Sequence, residues 1–265
     1  MVGADGRRFC SPAAIPRESK LGALPLIQPG WPAPPRVRAC VTTRFGGVSL
    51  PPYDSLNLGA HVGDDEAAVA ENRARLRGVV PSAPLWLNQV HGVAVADGDD
   101  ASGVPTADAV VARLPHRACA VLTADCLPVL FCDDAGTVVA AAHAGWRGLA
   151  AGVLEAAVTR MGVPAGGVMA WLGPAIGPRA FEVGAEVRAA FVTDDAAAAS
   201  AFTPGRRDGK WMADLFELAR LRLARIGVQR VHGGGVCTHA DVAHFYSYRR
   251  DGVTGRFASM IWLEP

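Results

Sequence analysis

Three runs of apolar residues lie close together in the middle of the chain and predict buried β-strands. They are Cys119–Leu122, Pro128–Cys132 and the partly β-branched run Thr137–Ala142. A short polar segment, Ala124-Asp125-Cys126, separates the first run from the second, and the turn-forming residues 133–136 separate the second from the third. Apolar runs of this length that end at turn residues are typical of buried strands.

Other segments carry either helical spacing or strand-like alternation. Helices are predicted over residues 64–78, 149–161, 183–191 and 211–226. Further strands are predicted over 36–43, 85–95, 107–111, 168–172 and 230–237, with a hairpin at Asp251-Gly252 before a last strand that ends at Leu263. Because strands and helices do not alternate regularly, we predict an α+β fold with mixed β-sheets flanked by helices, and not a Rossmann fold.

The first 35 residues are rich in Pro, Ala and Gly and show no sustained periodicity. We interpret residues 1–35 as a mobile leader, in which Leu24–Ile27 is the segment suited to pack against the core. Residues 36–265 contain neither an internal repeat nor a linker and are interpreted as a single catalytic domain.

The composition is typical of a globular protein that binds neither nucleic acid nor a membrane. Hydrophobic residues make up 50% of the chain, charged residues make up 19%, and the net charge is +1. No apolar run reaches transmembrane length, and no signal peptide is recognisable. The six cysteines show no framework spacing, so we expect reduced thiols and a cytoplasmic protein.

His91, Cys126 and His143 each stand where a predicted strand ends. A set of two His nitrogens and one Cys sulfur with an open fourth position is the catalytic form of a zinc site. The three residues are far apart in sequence, so a structural interpretation also stands, with two core histidines and a small buried thiol. Asp125 and Gln89 are candidates for orienting the ligands.

Two further groups of residues suit the recognition of polar ligands. Gly145 and Arg147 open the helix that follows His143, where unpaired backbone amides and a guanidinium would bind phosphate. Arg44 and Asn57 lie in a long irregular loop. For each group the alternative is a purely structural role in a turn or a loop.

Several segments together resemble one bacterial family. They are TTRFGGVSLPPYDSLNLGAHVGDD (42–65), NQVHG (88–92), TADCLPVLF (123–131), AAHAGWRG (141–148) and YSYRRDGVTGRFASMIWL (246–263). The chain is similar in these segments to the laccase-domain proteins, also called multicopper polyphenol oxidases. Members have been reassigned as purine nucleoside phosphorylases with adenosine deaminase and methylthioadenosine phosphorylase activity, and some are called peptidoglycan editing factors.

The resemblance implies a zinc site formed by His91, Cys126 and His143, and a fold similar to that of Cys-dependent toxin hydrolases. It implies phosphorolysis of adenosine, inosine and methylthioadenosine, together with deamination of adenosine, so that a nucleoside and phosphate would be the partners. On this hypothesis the catalytic residues are Cys126, Asp125 and Arg44. The hypothesis assigns substrate binding to four residues: Asn57, Gln89, Arg147 and Gly145.

Alternatives from other functional classes remain open. In a Cys-dependent hydrolase that edits peptidoglycan precursors, Cys126 would be the nucleophile and His143 its base. A copper polyphenol oxidase is disfavoured because seven histidines without a His-x-His pair are too few for four coppers, although copper can occupy a His₂Cys site. The third alternative is a non-catalytic module that binds zinc or nucleotide.

Overall fold

The computed structural model describes residues 18–21 and 24–265 of the chain, and within them it contains fourteen strands and six α-helices. The strands are β1 (Glu18–Leu21), β2 (Leu24–Ile27), β3 (Val37–Thr42), β4 (Val95–Asp97), β5 (Ala109–Ala112), β6 (Cys119–Thr123), β7 (Leu127–Asp133), β8 (Val139–Ala144), β9 (Val168–Leu172), β10 (Glu182–Val183), β11 (Phe202–Pro204), β12 (Trp211–Ala213), β13 (Arg230–Gly233) and β14 (Phe257–Leu263). The helices are α1 (Glu66–Arg75), α2 (Trp146–Ala151), α3 (Val153–Met161), α4 (Ala185–Val192), α5 (Leu215–Arg225) and α6 (Tyr248–Asp251).

The strands form three sheets. The outer sheet is antiparallel and has the order β1-β2-β3-β14-β6. The central sheet has the order β13-β9-β7-β8-β5-β4; its two edge pairs are parallel and its inner pairs are antiparallel. A small antiparallel sheet has the order β10-β12-β11. Mixed sheets with flanking helices confirm the predicted α+β class and exclude a Rossmann topology.

The two large sheets pack face to face, and each is covered on its other face. Along β7, Leu130 and Cys132 point into the core between the sheets, whereas Val129 and Phe131 point towards the helices. The helical side of the central sheet packs against α3, α4 and α5. The outer face of the outer sheet packs against residues of the 56–80 segment. Burial on both faces explains why the central strands appear in the sequence as continuous apolar runs.

Most predicted elements are confirmed, and the errors occur where turn chemistry was misjudged. The strand over 168–172 has the predicted bounds. The helix predicted over 149–161 is two helices, because Gly152 adopts φ +103° and separates them. The helix predicted over 211–226 was wrong at its start: Trp211–Ala213 is a strand, and the Asp214 carboxylate caps α5.

Two other predicted elements were also wrong. Instead of a hairpin at Asp251-Gly252, Ser247 caps the short helix α6, because its hydroxyl accepts a hydrogen bond from the amide of Arg250. The segment 85–95 is mainly irregular and reaches strand geometry only in β4, from Val95.

Much of the predicted leader, residues 1–17 and 22–23, lies outside the described residues. The later part of residues 1–35 is structured where it is described. Strands β1 and β2 extend the outer sheet, and Leu24, Leu26 and Ile27 are buried in its cores. The ordered sheet therefore begins before residue 36.

The five cysteines in the described residues are free thiols, namely Cys40, Cys119, Cys126, Cys132 and Cys237. In the same part of the chain, no helix is both long enough and apolar enough to cross a membrane.

The core between the two large sheets should dominate stability. Replacing Leu130, which is fully buried there, by Ala is expected to lower the free energy of unfolding by about 2–5 kcal/mol, because a cavity remains. Urea denaturation measures this change. The matched control is Leu50→Ala, whose side chain is 77% exposed and should change stability by less than about 0.5 kcal/mol. Equal effects of the two substitutions would contradict the assignment of the core.

Candidate metal centre

His91, Cys126 and His143 meet at one end of the inner strands β7 and β8 of the central sheet. Their ligand atoms all lie within 4.8 Å of one another, and the Cys126 Sγ lies 3.6 Å from the His91 Nε2. The register of the sheet causes this convergence: Leu127 pairs with Ala144, so Cys126, one residue before β7, lies at the end of β8, which carries His143. His91 approaches from the irregular segment before β4.

The separation of the Cys126 and His91 donor atoms fits a tetrahedral metal, while the three donors together lie within 4.8 Å of one another. Zinc bonds of about 2.3 Å to sulfur and about 2.0 Å to nitrogen at tetrahedral angles place the two ligand atoms about 3.5 Å apart. The observed distance of 3.6 Å between Cys126 Sγ and His91 Nε2 agrees with this value. His143 is buried, Cys126 is partly buried and His91 is exposed, so a fourth position would face solvent on the His91 side.

A buried carboxylate, Asp108, holds both histidines. Its oxygens accept hydrogen bonds from the backbone amides of Val90, His91 and Gly92 at 2.7–3.2 Å, and from the His143 Nδ1 at 2.8 Å. The amide hydrogen bonds stabilise His91 in a left-handed backbone conformation with φ +61°. The bond to Nδ1 leaves the Nε2 of His143 free for a ligand.

Asp108 stands one residue before the buried strand β5 and was not predicted as a site residue from the sequence. Since Ala109 pairs with Ala142 in an antiparallel ladder, the next residues outward, Asp108 and His143, are neighbours. In the sequence, the feature that could have indicated Asp108 was a single carboxylate directly next to an apolar run. Burial acts to raise the pKa of Asp108, but the hydrogen bond and charge of His143 and the hydrogen bonds from the amides of Gly92 and Val90 together lower it.

Gly145 is required by the space at the centre rather than by its backbone angles. A Cβ at this position would lie 2.5 Å from His91 Cδ2 and 3.0 Å from Cys126 Sγ. The backbone therefore approaches both ligands closely, and the first turn of α2 begins beside them. The predicted substrate-binding residue Gly145 is thus part of the centre's wall.

Asp125 fixes the position of Cys126 through its own hydrogen bonds. Its backbone has φ +90°, and its buried carboxylate accepts hydrogen bonds from the Thr238 hydroxyl, the Ser247 hydroxyl and the Arg249 amide. The hydrogen bonds hold the connection between β6 in the outer sheet and β7 in the central sheet. Both carboxylate oxygens of Asp125 thus accept hydrogen bonds within the protein, which gives it a positioning role; its predicted catalytic role stays a prediction.

The Cys126 thiol and the His143 imidazole change each other's protonation. Burial alone would raise the pKa of Cys126, but the charge of His143 and hydrogen bonds from His143 and His91 lower it to about 6. Burial alone would lower the pKa of His143, but the Cys126 charge and the hydrogen bond to Asp108 raise it to about 9. Without a metal, the pair is therefore a thiolate beside an imidazolium at neutral pH, and metal binding displaces the imidazolium proton.

Two of the predicted polar residues use their side chains for contacts inside the protein. The Gln89 amide bonds to both the N–H and the C=O of Leu122, which docks the His91 segment on β6. Asn57 is fully buried and bonds to the backbone of Gly59, the amide of Arg256 and the Asp64 carboxylate. These contacts give Gln89 and Asn57 structural roles, and their predicted substrate contacts stay predictions.

Arg44, predicted as catalytic, joins two loops. Its guanidinium donates to the carbonyl oxygen and carboxylate of Asp54 and to the carbonyl oxygen of Val242, and it lies over the Tyr246 ring. Arg147 is different because it is exposed at the start of α2 and stacks on Trp146. Among the described residues Arg147 has no ion-pair partner, so its guanidinium can accept an anion.

Arg256 is a second residue near the candidate metal centre that was not predicted from the sequence. Burial lowers its pKa, while the negative charges of Cys126 and Asp125 oppose that shift, which places the cation in the field of the centre. Its guanidinium is anchored on the carbonyl oxygens of Thr254 and Gly255. In the sequence, Arg256 lies within the segment 246–263 that resembles the family. The prediction for that segment concerned the turn at 249–252 and not Arg256.

Removing the Asp108 charge should weaken the metal site. Asp108→Asn is expected to lower zinc affinity about 10–100-fold, because a ligand loses its orienting partner. Competition with a chromophoric chelator measures the affinity. Asp134→Asn is the matched control, since Asp134 is an exposed carboxylate paired with Arg230 and is not a ligand of the centre. An unchanged affinity in Asp108→Asn would contradict the role of this carboxylate.

The lowered pKa of Cys126 predicts its alkylation profile. In metal-free protein the rate of reaction with iodoacetamide should be high above pH 6 and fall below it, with a midpoint at about 6, because the thiolate is the nucleophile. Peptide mass spectrometry follows Cys126 separately from the other thiols. His143→Gln should raise the midpoint, since the neighbouring positive charge is lost. A midpoint near the ordinary thiol value of 9.0 in the unsubstituted protein would refute the prediction.

Comparison with known proteins agrees with the geometry. A family model described as multi-copper polyphenol oxidoreductase laccase matches residues 38–264. A Pseudomonas aeruginosa protein named purine nucleoside phosphorylase PA4543 is 63% identical over 238 residues, which cover 90% of this chain and 98% of the relative. The purine nucleoside phosphorylase YfiH of Escherichia coli K12 is 57% identical over 244 residues, with 90% and 98% coverage.

A solved structure also matches. The Neisseria meningitidis protein NMB0706 has a TM-score of 0.88 and 53% sequence identity, and the alignment covers 91% of this chain and 99% of that chain. The sequence resemblance, the fold and the relatives agree over nearly all of the described residues. The chain therefore belongs to the multi-copper polyphenol oxidoreductase laccase family.

Proposed function

We propose that this protein is a zinc-dependent purine nucleoside phosphorylase that acts on adenosine, inosine and methylthioadenosine and also deaminates adenosine. The observation that carries the proposal is the group formed by His91, Cys126 and His143, which has the donors and spacing of a three-ligand zinc site. Support comes from relatives with this name that share 57–63% identity over 90% of the chain.

Zinc suits this donor set better than a copper cluster does. In the described part of the chain, one group of His, Cys and acidic residues has metal-binding geometry, and it offers three ligands. A multicopper oxidase needs a blue-copper centre and a three-copper cluster, which one group cannot supply. A single copper ion remains the weaker alternative, because copper competes well for nitrogen and sulfur donors.

The residues around the centre suit a nucleoside and phosphate. Zinc bound by the three ligands would supply Lewis acidity and polarise an oxygen-bearing reactant. Arg147 and Arg256 are cations available to hold the phosphate, which attacks the ribose anomeric carbon as the bond from that carbon to the purine nitrogen breaks and the base leaves. Gly145 keeps the wall of the centre free of a side chain, so that reactants can approach Cys126 and His91.

The positioning residues keep this arrangement rigid. Asp108 holds the tautomer of His143 and the backbone of the His91 segment. Asp125 holds the backbone of Cys126. Because both carboxylate oxygens of Asp125 already accept hydrogen bonds from Thr238, Ser247 and Arg249, we assign this residue to positioning rather than to proton transfer.

A Cys-dependent hydrolase is the second candidate, and the electrostatics favour it. The lowered pKa of Cys126, together with the His143–Asp108 hydrogen bond, gives a nucleophile, a base and an orienting carboxylate. Such a site would cleave an acyl bond in peptidoglycan precursors. It would work without metal, which separates it from the phosphorylase.

Cys126→Ala should abolish zinc binding and phosphorolysis together, because one of three ligands is lost. The measurement is the release of free base from inosine and adenosine, with and without phosphate, on protein of known metal content. Cys237→Ser is the matched control: Cys237 is a free thiol that is not a ligand of the centre, and its variant should keep both properties.

Different results would favour other functions. A fully active, metal-free Cys126→Ala protein would refute the proposal. Turnover of cell-wall precursors that resists chelators, together with covalent labelling of Cys126, would support the hydrolase. Nucleoside-dependent shifts of the melting temperature without any turnover would indicate a non-catalytic binding module.

A further inference from the structure

A second cavity, of about 660 Å³, lies beside the segment Gly233-Gly234-Gly235, and none of the three metal ligands lines it. Its other walls are residues 177–180, Arg206, the start of α5 and residues 239–240. A cavity of this size can hold a ligand of nucleotide size. It lies where the parallel strands β9 and β13 end, and ligands commonly bind beyond the carboxyl ends of parallel strands.

The three glycines present bare backbone to this cavity. All three have left-handed φ values, of +70°, +85° and +89°. A Cβ on Gly233 would lie 2.5 Å from the Leu172 carbonyl oxygen, so no side chain fits there. Within the described residues the amide of Gly234 bonds to Leu172, whereas the amide of Gly235 has no hydrogen-bond partner. A free amide in a glycine segment is a donor suited to an anion.

Three arginines give the same cavity a positive wall. Arg220 donates to the carbonyl oxygens of Val231 and Gly233 and so holds the glycine segment in place. Arg206 donates one N–H to the Arg179 carbonyl oxygen, which leaves its other guanidinium N–H groups available. The Arg179 side chain is exposed and, within the described part of the chain, has no ion-pair partner.

Two carboxylates at the start of α5 indicate which other groups a ligand of this cavity would carry. Asp214 is occupied, because it accepts hydrogen bonds from the amides of Phe216 and Glu217. The Glu217 carboxylate lines the cavity and, among the described residues, has no hydrogen-bond or ion-pair partner. It can accept hydrogen bonds from hydroxyl groups, which inorganic phosphate at neutral pH offers poorly and a sugar offers well. Phe216 and Ala180 add apolar wall.

We propose that this cavity is a second ligand site, separate from the metal centre, for a hydroxyl-bearing organic phosphate of nucleoside monophosphate size. Arg179, Arg206 and the Gly235 amide bind the phosphate. Glu217 accepts from the sugar hydroxyls. The proposal does not depend on the function of the metal centre.

Calorimetric titration of the full chain with adenosine monophosphate tests the site. Adenosine and inorganic phosphate are the comparison ligands, and all three are compared on metal-free Cys126→Ala protein, because adenosine and phosphate are also the proposed substrates of the metal centre. Adenosine monophosphate should bind more tightly than either. Arg179→Gln should weaken its binding about tenfold or more, because a charge-assisted hydrogen bond is lost. Arg77→Gln is the matched control, since Arg77 is exposed after α1 and is not part of this cavity.

The metal-free Cys126→Ala protein separates this site from the metal centre. It should bind adenosine monophosphate as tightly as the unsubstituted protein, whatever its effect on turnover. Binding that is lost in Cys126→Ala but unchanged in Arg179→Gln would assign the ligand to the metal centre and overturn the proposal. Equal affinity for inorganic phosphate, or no binding of adenosine monophosphate, would overturn it too.

Discussion

The metal centre depends on one buried carboxylate that accepts four hydrogen bonds. Asp108 is fully buried, and its partners are three successive backbone amides and the His143 ring. A buried charge is costly unless it is hydrogen-bonded throughout, so this carboxylate and its donors fix each other. His91 comes from an irregular segment, whereas His143 comes from the central sheet. Asp108 therefore fixes the irregular segment to the sheet by hydrogen bonds to both.

The sequence was sufficient to predict most strands of the sheets and the three residues that meet at the candidate metal centre, for reasons that particular residues illustrate. Continuous apolar runs predicted β6, β7 and β8, because burial on both faces removes polar positions. Cys126 and His143 were recognisable as reactive residues next to these runs. Asp108 was not, because a single Asp before a strand has the appearance of a turn residue, and only the pairing of β5 with β8 places it beside His143.

Polar residues in irregular loops could not be sorted from sequence. Asn57 and Gln89 were interpreted as substrate contacts, yet their amides satisfy backbone groups that no sheet or helix satisfies. An amide side chain has the same chemistry for a ligand and for a backbone, so the sequence does not distinguish the two uses. Arg256, in contrast, was not predicted from the sequence. Its charge interacts with Cys126 because the fold brings the two residues together, although they are far apart in the chain.

The left-handed backbone conformation of Asp125 is held by residues that come much later in the chain. Its three hydrogen-bond donors belong to Thr238, Ser247 and Arg249, more than a hundred positions later in the chain. Strand β14, which ends at Leu263, lies between β3 and β6 in the outer sheet. Both the outer sheet and the connection that carries Cys126 therefore depend on residues 238–263. A chain truncated before Thr238 would lack all three donors of Asp125, so the position of the Cys126 thiol depends on a segment more than a hundred residues away along the chain.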